Sequence, residues 1–228
     1  MANSTGAPNR PAHNAPVLVI GLGRFGAATA EQLVKQGREV LAIERDRTLV
    51  QNWASVLTHV VEADATNIDA LRQLGAQDFS SAVVGVGTSI ESSVLITANL
   101  VDLGIEHLWA KAITASHGKI LTRIGANHVI YPETDAGVRA AHLVSGRMLD
   151  FIEFDDDFAI VKMYPPKETV GFTLDESKVR SKYGVTIVGV KSPGEDFTYA
   201  RPDTKVSGRD MLIVSGHVDL LERFAARP

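Results

Sequence analysis

The chain contains no cysteine. That excludes a disulfide framework, a thiolate metal site and a thiol nucleophile. No apolar run approaches the roughly 18 residues that span a bilayer. The N-terminal stretch MANSTGAPNRPAHNA has no apolar core, so it is no secretory signal. Positive charge is not in excess: 23 Lys and Arg face 27 Asp and Glu, a net charge of −4, and no basic patch invites nucleic acid. Catalytic signatures are missing too. There is no G-x-S-x-G elbow, no H-E-x-x-H helix and no Walker A lysine. The seven histidines, at 13, 59, 107, 117, 128, 142 and 217, lack metal spacing. His117, before a helix, and His128, before a strand, are the two that could in principle serve as a dehydrogenase acid.

What is present is ordinary globular material. With 228 residues, 45% of them hydrophobic, the chain can bury one large core or two small ones. Residues 1–15 lack periodicity and read as a disordered tail. Residues 16–135 alternate short apolar strands (Val17–Ile20, Val40–Ile43, Val60–Glu62, Ala82–Val86, Leu108–Ala112, Val129–Tyr131) with helical stretches stopped by glycine at 37, 75, 104 and 125. Apolar strands alternating with helices predict a doubly wound parallel sheet, a Rossmann-like α/β fold.

The pattern then changes. Ala136–Phe151 reads as one amphipathic helix, with Val138, Ala141, His142, Val144, Met148 and Phe151 near one side, and it would cross between two lobes. The Asp155–Asp157 run reads as a solvated turn. Residues 152–228 predict a small α+β lobe with strands Phe158–Met163, Val185–Val190 and Met211–Val214 and a final helix Val218–Ala225.

Gly21-Leu22-Gly23-Arg24-Phe25-Gly26 follows an apolar strand and opens a helix. In that context Gly21 permits the tight turn, Gly23 lets a phosphate approach the backbone, and Gly26 lets the helix pack on the strand. The helix start offers free N–H groups and a positive dipole end. Glu44 ends the second strand, where a carboxylate accepts the ribose diol and repels a 2′-phosphate. Arg24, inside the turn, could reach a terminal phosphate or stand solvated beside Glu44. Asp64 either meets the adenine amino group or caps the helix beginning near Asn67. Gly87 and Thr88 follow the fourth strand at the ligand-binding edge. Lys111, between Ala110 and Ala112, must snorkel or meet an anion, and an anion is expected.

The segments VLVIGLGRFG, REVLAIERD, VEADAT, VVGVGTSIESS, WAKA, IGANHVIYPETDAGVRAA, VRSKYGVTIVGVK and DMLIVSG together resemble the regulator-of-potassium-conductance (RCK) domain, in particular the cytosolic subunits of Ktr/Trk-type potassium uptake systems. The resemblance spans about residues 16–225. It implies a regulator and not an enzyme: an octameric ring on the cytoplasmic side of a membrane-embedded potassium-translocating subunit, in which ATP and ADP compete for the glycine-turn site. It further implies that Arg24 contacts the ATP γ-phosphate and that Glu133 helps hold a divalent cation, Mg or Ca, at a dimer interface. Phe25, Glu44, Asp46, Ala63, Asp64, Gly87, Thr88 and Lys111 would belong to the nucleotide site. Glu133 could equally be a solvated acid after Pro132.

In several members of that family paired C-terminal lobes bind cyclic di-AMP. The matching positions are Leu174, Arg180, Val185, Thr186 and Ile187, with Arg180 toward a phosphate. Lys178 departs from the acidic residue that can stand there, and a lobe that merely dimerises is the alternative. Glu44 stands where many relatives carry Asp; both are carboxylates. The competing class is an NAD-dependent oxidoreductase, which shares the turn and Glu44, or a regulator that senses NAD(H).

Overall fold

The computed structural model describes residues 15–144, 146–154 and 157–227. Most of the expected tail, and Asp155 and Asp156 of the acidic run, lie outside the described residues. The chain divides into two compact units, one ending at Glu133 and one beginning at Thr134.

The first unit holds strands β1 (Val17–Ile20), β2 (Val40–Glu44), β3 (His59–Glu62), β4 (Ser81–Val84), β5 (His107–Lys111) and β6 (His128–Ile130). Between them run helices α1 (Arg24–Lys35), α2 (Arg47–Trp53), α3 (Ile68–Gln73), α4 (Ile90–Asp102) and α5 (Ala115–Ile124). The sheet order is β3-β2-β1-β4-β5-β6, and every pairing is parallel. The parallel doubly wound sheet expected from the sequence is therefore what forms. Successive β1 side chains feed opposite layers: Leu18 and Ile20 enter the core shared with Leu71, Leu100 and Leu121, while Val17 and Val19 pack in the layer with Ala30 and Val40. A strand buried on both faces has no use for a polar alternation, which explains the all-apolar run VLVI. The four helix-stopping glycines all adopt positive φ.

The order reverses between β1 and β4. The chain winds outward through β2 and β3 on one side, then returns to build β4, β5 and β6 on the other. Such a switch point opens a crevice at the C-terminal ends of the two central strands. Gly21 and Gly85 stand at that crevice.

The second unit is a five-stranded antiparallel sheet in the order β10-β9-β11-β8-β7. Its strands are β7 (Met148–Glu153), β8 (Phe158–Met163), β9 (Thr186–Lys191), β10 (Thr198–Tyr199) and β11 (Met211–His217). Short helices α7 (Leu174–Ser177) and α8 (Val179–Tyr183) precede β9, and α9 (Val218–Ala225) closes the chain. Leu221 and Phe224 of α9 are fully buried on this sheet.

The crossover helix departs from expectation. Helix α6 runs Pro132–Val144, with proline at its first position, where the missing N–H costs nothing. The residues read as its C-terminal end, Met148 to Phe151, form strand β7 instead. A turn intervenes: Gly146 has φ +71 and donates its N–H to Leu143 O. The misreading has a physical cause. The pairing of β7 with β8 slips between Met148 and Asp150. That bulge lets Met148 and Phe151, three residues apart, both face the core. A spacing of three imitates a helix.

Candidate functional site

The glycine turn is assembled by close backbone approaches. Gly21, at φ +89, donates its N–H to Ile43 O at 2.8 Å. A Cβ at Gly26 would lie 1.9 Å from Gly21 O, so α1 touches the end of β1 with no room for a side chain. Gly85 completes the packing: a Cβ there would lie 3.0 Å from Gly26 Cα. Gly23 is different. Nothing lies within 4 Å of where its Cβ would be, and its φ of −62 is open to any residue. That side of the turn is vacant space next to backbone, as phosphate approach requires. Gly23 is also the N-cap of α1, no side chain caps the helix, and its first turn carries no acid. The helix itself therefore supplies no side chain to offset the positive end of its dipole.

Beneath the turn is a cavity of about 270 Å³. Ile20, Ile43, Val86 and Ile96 give it apolar walls, and Glu44, Asp46, Asp64 and Thr88 give it polar ones. Gly21, Gly23, Ala63 and Gly87 also line it, so most of the residues singled out in the sequence converge here.

The Glu44 carboxylate accepts from Leu22 N–H at 2.6 Å on Oε2, and from the N–H groups of Arg45 at 2.8 Å and Asp46 at 2.9 Å on Oε1. It thus ties the end of β2 to the glycine turn, and no ion pair with Arg24 forms among the described residues. Asp46 caps α2, accepting from Thr48 and Leu49 N–H. Asp64 caps no helix; Asn67 does that for α3. Asp64 Oδ1 instead accepts from the hydroxyl and N–H of Thr66, at 2.7 and 3.0 Å. Those bonds hold its carboxyl below the ordinary carboxylate range, and the charge of Arg45 adds to them.

Four of the nucleotide-site candidates do not line this cavity: Gly26, which is packed against Gly21 behind the turn, and Arg24, Phe25 and Lys111. Phe25 turns its ring to the other face of the sheet, where it packs in the layer of Val17 and Val19. Its ring is therefore removed from the site, and only its backbone N–H belongs to the turn. Arg24 is exposed at the start of α1. Lys111 does meet an anion: its Nζ donates to Glu133 Oε1 at 2.6 Å. That bond, ahead of the charges of Lys111 and Arg24, keeps the Glu133 carboxyl below its usual range. Among the described residues no three His, Asp or Glu side chains converge as a metal site.

The two histidines weighed as proton donors differ in setting, and neither lines the cavity. His117 is 1% exposed in α5, and burial alone lowers its pKa. His128 stacks on Trp109 with ring centroids 4.7 Å apart.

In the second unit, Leu174, Arg180, Thr186 and Ile187 line one groove of about 660 Å³, together with Lys178, Ser181 and Arg201. Val185 does not join them. It is fully buried in the core, under Gly216.

Sequence reasoning missed Gly85, Asn99 and Arg201. Asn99 Nδ2 donates to Ala65 O and Thr66 O and so holds the loop that carries Asp64. Gly85 had a signal: the alternation Val84-Gly85-Val86-Gly87 places a glycine where β4 reaches the crevice. Asn99 had none, because its partner lies 33 residues away in the chain.

Comparison with known proteins agrees with this architecture. The TrkA-N domain family matches residues 17–132, and the TrkA-C domain family matches residues 158–227. Over 210 residues the chain is 35% identical to Ktr system potassium uptake protein C of Bacillus subtilis (strain 168), covering 92% of this chain and 95% of that relative. Among solved structures, the GsuK RCK domain aligns with a TM-score of 0.65 at 18% identity, over 94% of this chain and 48% of that one. The GsuK channel bound to NAD aligns with a TM-score of 0.64 at 18% identity, over 94% and 40%. At such identity the likeness shows the fold alone, and this chain spans less than half of either GsuK chain.

Proposed function

The chain belongs to the TrkA-N/TrkA-C family of RCK-domain proteins, and from that premise we propose that it is the nucleotide-responsive regulatory subunit of a Ktr-type potassium uptake system. One observation carries the nucleotide reading. The uncapped start of α1, the open face of Gly23 and the Glu44 carboxylate all border one cavity at the topological switch point. Adenine and ribose fit its mixed walls, with Glu44 exchanging backbone partners for the ribose diol. The phosphates run along the helix start.

In this reading the ligand is ATP or ADP. Arg24, exposed at the turn, contacts the terminal phosphate, and Glu133 shares a divalent cation with it across a dimer of first units. The subunit assembles into a ring, an octamer by resemblance, on the cytoplasmic side of a membrane-embedded potassium-translocating partner. A ligand shifts the ring only by binding one shape better than the other. The groove lined by Arg180, Lys178 and Arg201, against one acid, Asp175, offers an excess of positive charge to a second, phosphate-bearing ligand. Cyclic di-AMP is the candidate.

A second reading has its own support. Glu44 suits NAD as well as ATP, and the GsuK channel is described with NAD bound. A thermal-shift and calorimetric series with ATP, ADP, NAD⁺ and NADH separates the two. Larger shifts with ATP and ADP support the regulator reading. A larger shift with NADH and no turnover makes the protein a redox sensor, and NADH oxidation would make it an oxidoreductase. Co-purification with a membrane subunit tests the partner.

A further inference from the structure

Lys111 is an unusually sheltered cation. Its side chain is only 12% exposed, and its stem lies over Gly87, where a Cβ would stand 3.2 Å from Lys111 Cε. Gly87 lines the nucleotide cavity, so the Lys111 stem packs against the cavity wall from outside it. An ammonium so removed from water requires an anion. Glu133 supplies it at 2.6 Å, reaching in from the first turn of α6 while remaining 61% exposed. Arg24, at the start of α1, also acts on this carboxylate through its charge. Glu133 is therefore bonded to Lys111 and acted on from farther off by the charge of Arg24, which stands at the helix start where the proposed reading puts the phosphates.

Building on the nucleotide reading, we propose that Glu133 is an internal competitor for the ligand's phosphates, holding at Lys111 the place that a phosphate takes when ATP binds. Binding then exchanges a Lys111–Glu133 pair for a Lys111–phosphate pair. A ligand without phosphates fills the cavity and leaves the pair intact. ATP breaks it and frees Glu133, which stands at the beginning of the helix that continues into the second unit. Lys111 and Glu133 together thus determine whether the site registers phosphate or only nucleoside. The freed carboxylate is also what a divalent cation would need.

The test uses the full chain in EDTA, so that no divalent cation intervenes, and calorimetry with ATP and adenosine. Glu133→Gln removes the competitor's charge from a mostly exposed side chain. It is expected to tighten ATP about two- to fivefold, the range a partly exposed ion pair supports, and to leave adenosine unchanged. Lys111→Gln weakens ATP, and in that background Glu133→Gln brings no gain. ATP affinity that is unchanged or weaker in Glu133→Gln overturns the proposal, and so does a gain that persists without Lys111. If wild-type protein binds neither ATP nor adenosine, the nucleotide reading itself has failed. If it binds both and the variants show no coupling, only the exchange has failed.

Discussion

Gly23 and Gly26 stand three residues apart in one turn, and the structure gives them opposite surroundings. At Gly26 an added methyl carbon would lie 1.9 Å from Gly21 O, where real contacts essentially never fall below 3.0 Å. The start of α1 must therefore retreat by about 1 Å or the Gly21 peptide must rotate, and overpacking of this kind costs about 1–3 kcal/mol. At Gly23 a methyl group meets nothing. Alanine there loses a little as an N-cap and gains a little by restricting the unfolded chain, two effects that offset to within about 0.5 kcal/mol. Yet the same methyl group fills the space through which, in the proposed function, a phosphate would reach the helix N–H groups. Gly23→Ala should therefore unfold in urea at the wild-type midpoint while losing at least tenfold in ATP affinity. Gly26→Ala should lose both stability and affinity. Urea unfolding with calorimetry on the same preparations distinguishes them. The reasoning is refuted if Gly23→Ala binds ATP as wild type does, or if Gly26→Ala is as stable as wild type.

Arg24→Ala should keep ADP binding and lose the preference for ATP in calorimetry; equal losses for both nucleotides would remove Arg24 from the terminal phosphate. Arg180→Ala should abolish binding of cyclic di-AMP and leave ATP binding intact, and a wild-type chain that shows no heat with cyclic di-AMP would favour a second unit that only dimerises. His117 is buried with Nε2 lacking any partner, and burial lowers its pKa in the folded state. Its contribution to stability is thus complete above the unfolded value of about 6.5 and is lost as pH falls below it, because the unfolded chain takes up the proton first. Urea midpoints measured from pH 7.5 to 5 should fall for wild type and fall less for His117→Gln; parallel profiles would show that His117 titrates alike in both states.

Much of this protein was legible in one dimension. Strands buried on both faces are expected to be apolar, and VLVI, VLAI and, after Ser81, AVV are. Helices had to stop where the backbone turned left-handed, and glycine stood at 37, 75, 104 and 125. The placement of the glycine turn and Glu44 beside one another was readable because it depends on a short spacing along the chain, and so was the resemblance that drew the second unit into the same family. Misreadings arose where spacing was ambiguous. Met148 and Phe151 carried a helical period because a bulge, set by pairing with β8, turned both inward. Val185 stood among groove residues in sequence and was claimed by the core in space.

Tertiary structure alone decided which groups meet across long separations. Lys111 called for an anion by its surroundings, but only folding brings Glu133, 22 residues on, to its ammonium. Asp64 could have capped a helix or faced a ligand; folding gave the cap to Asn67 and left Asp64 on the cavity wall with Thr66. Composition and local periodicity determine which elements form and which faces are buried, because those depend on neighbours in the chain. The choice of partner for a charge, and the side of the sheet to which Phe25 turns, depend on packing between elements that only the whole fold supplies.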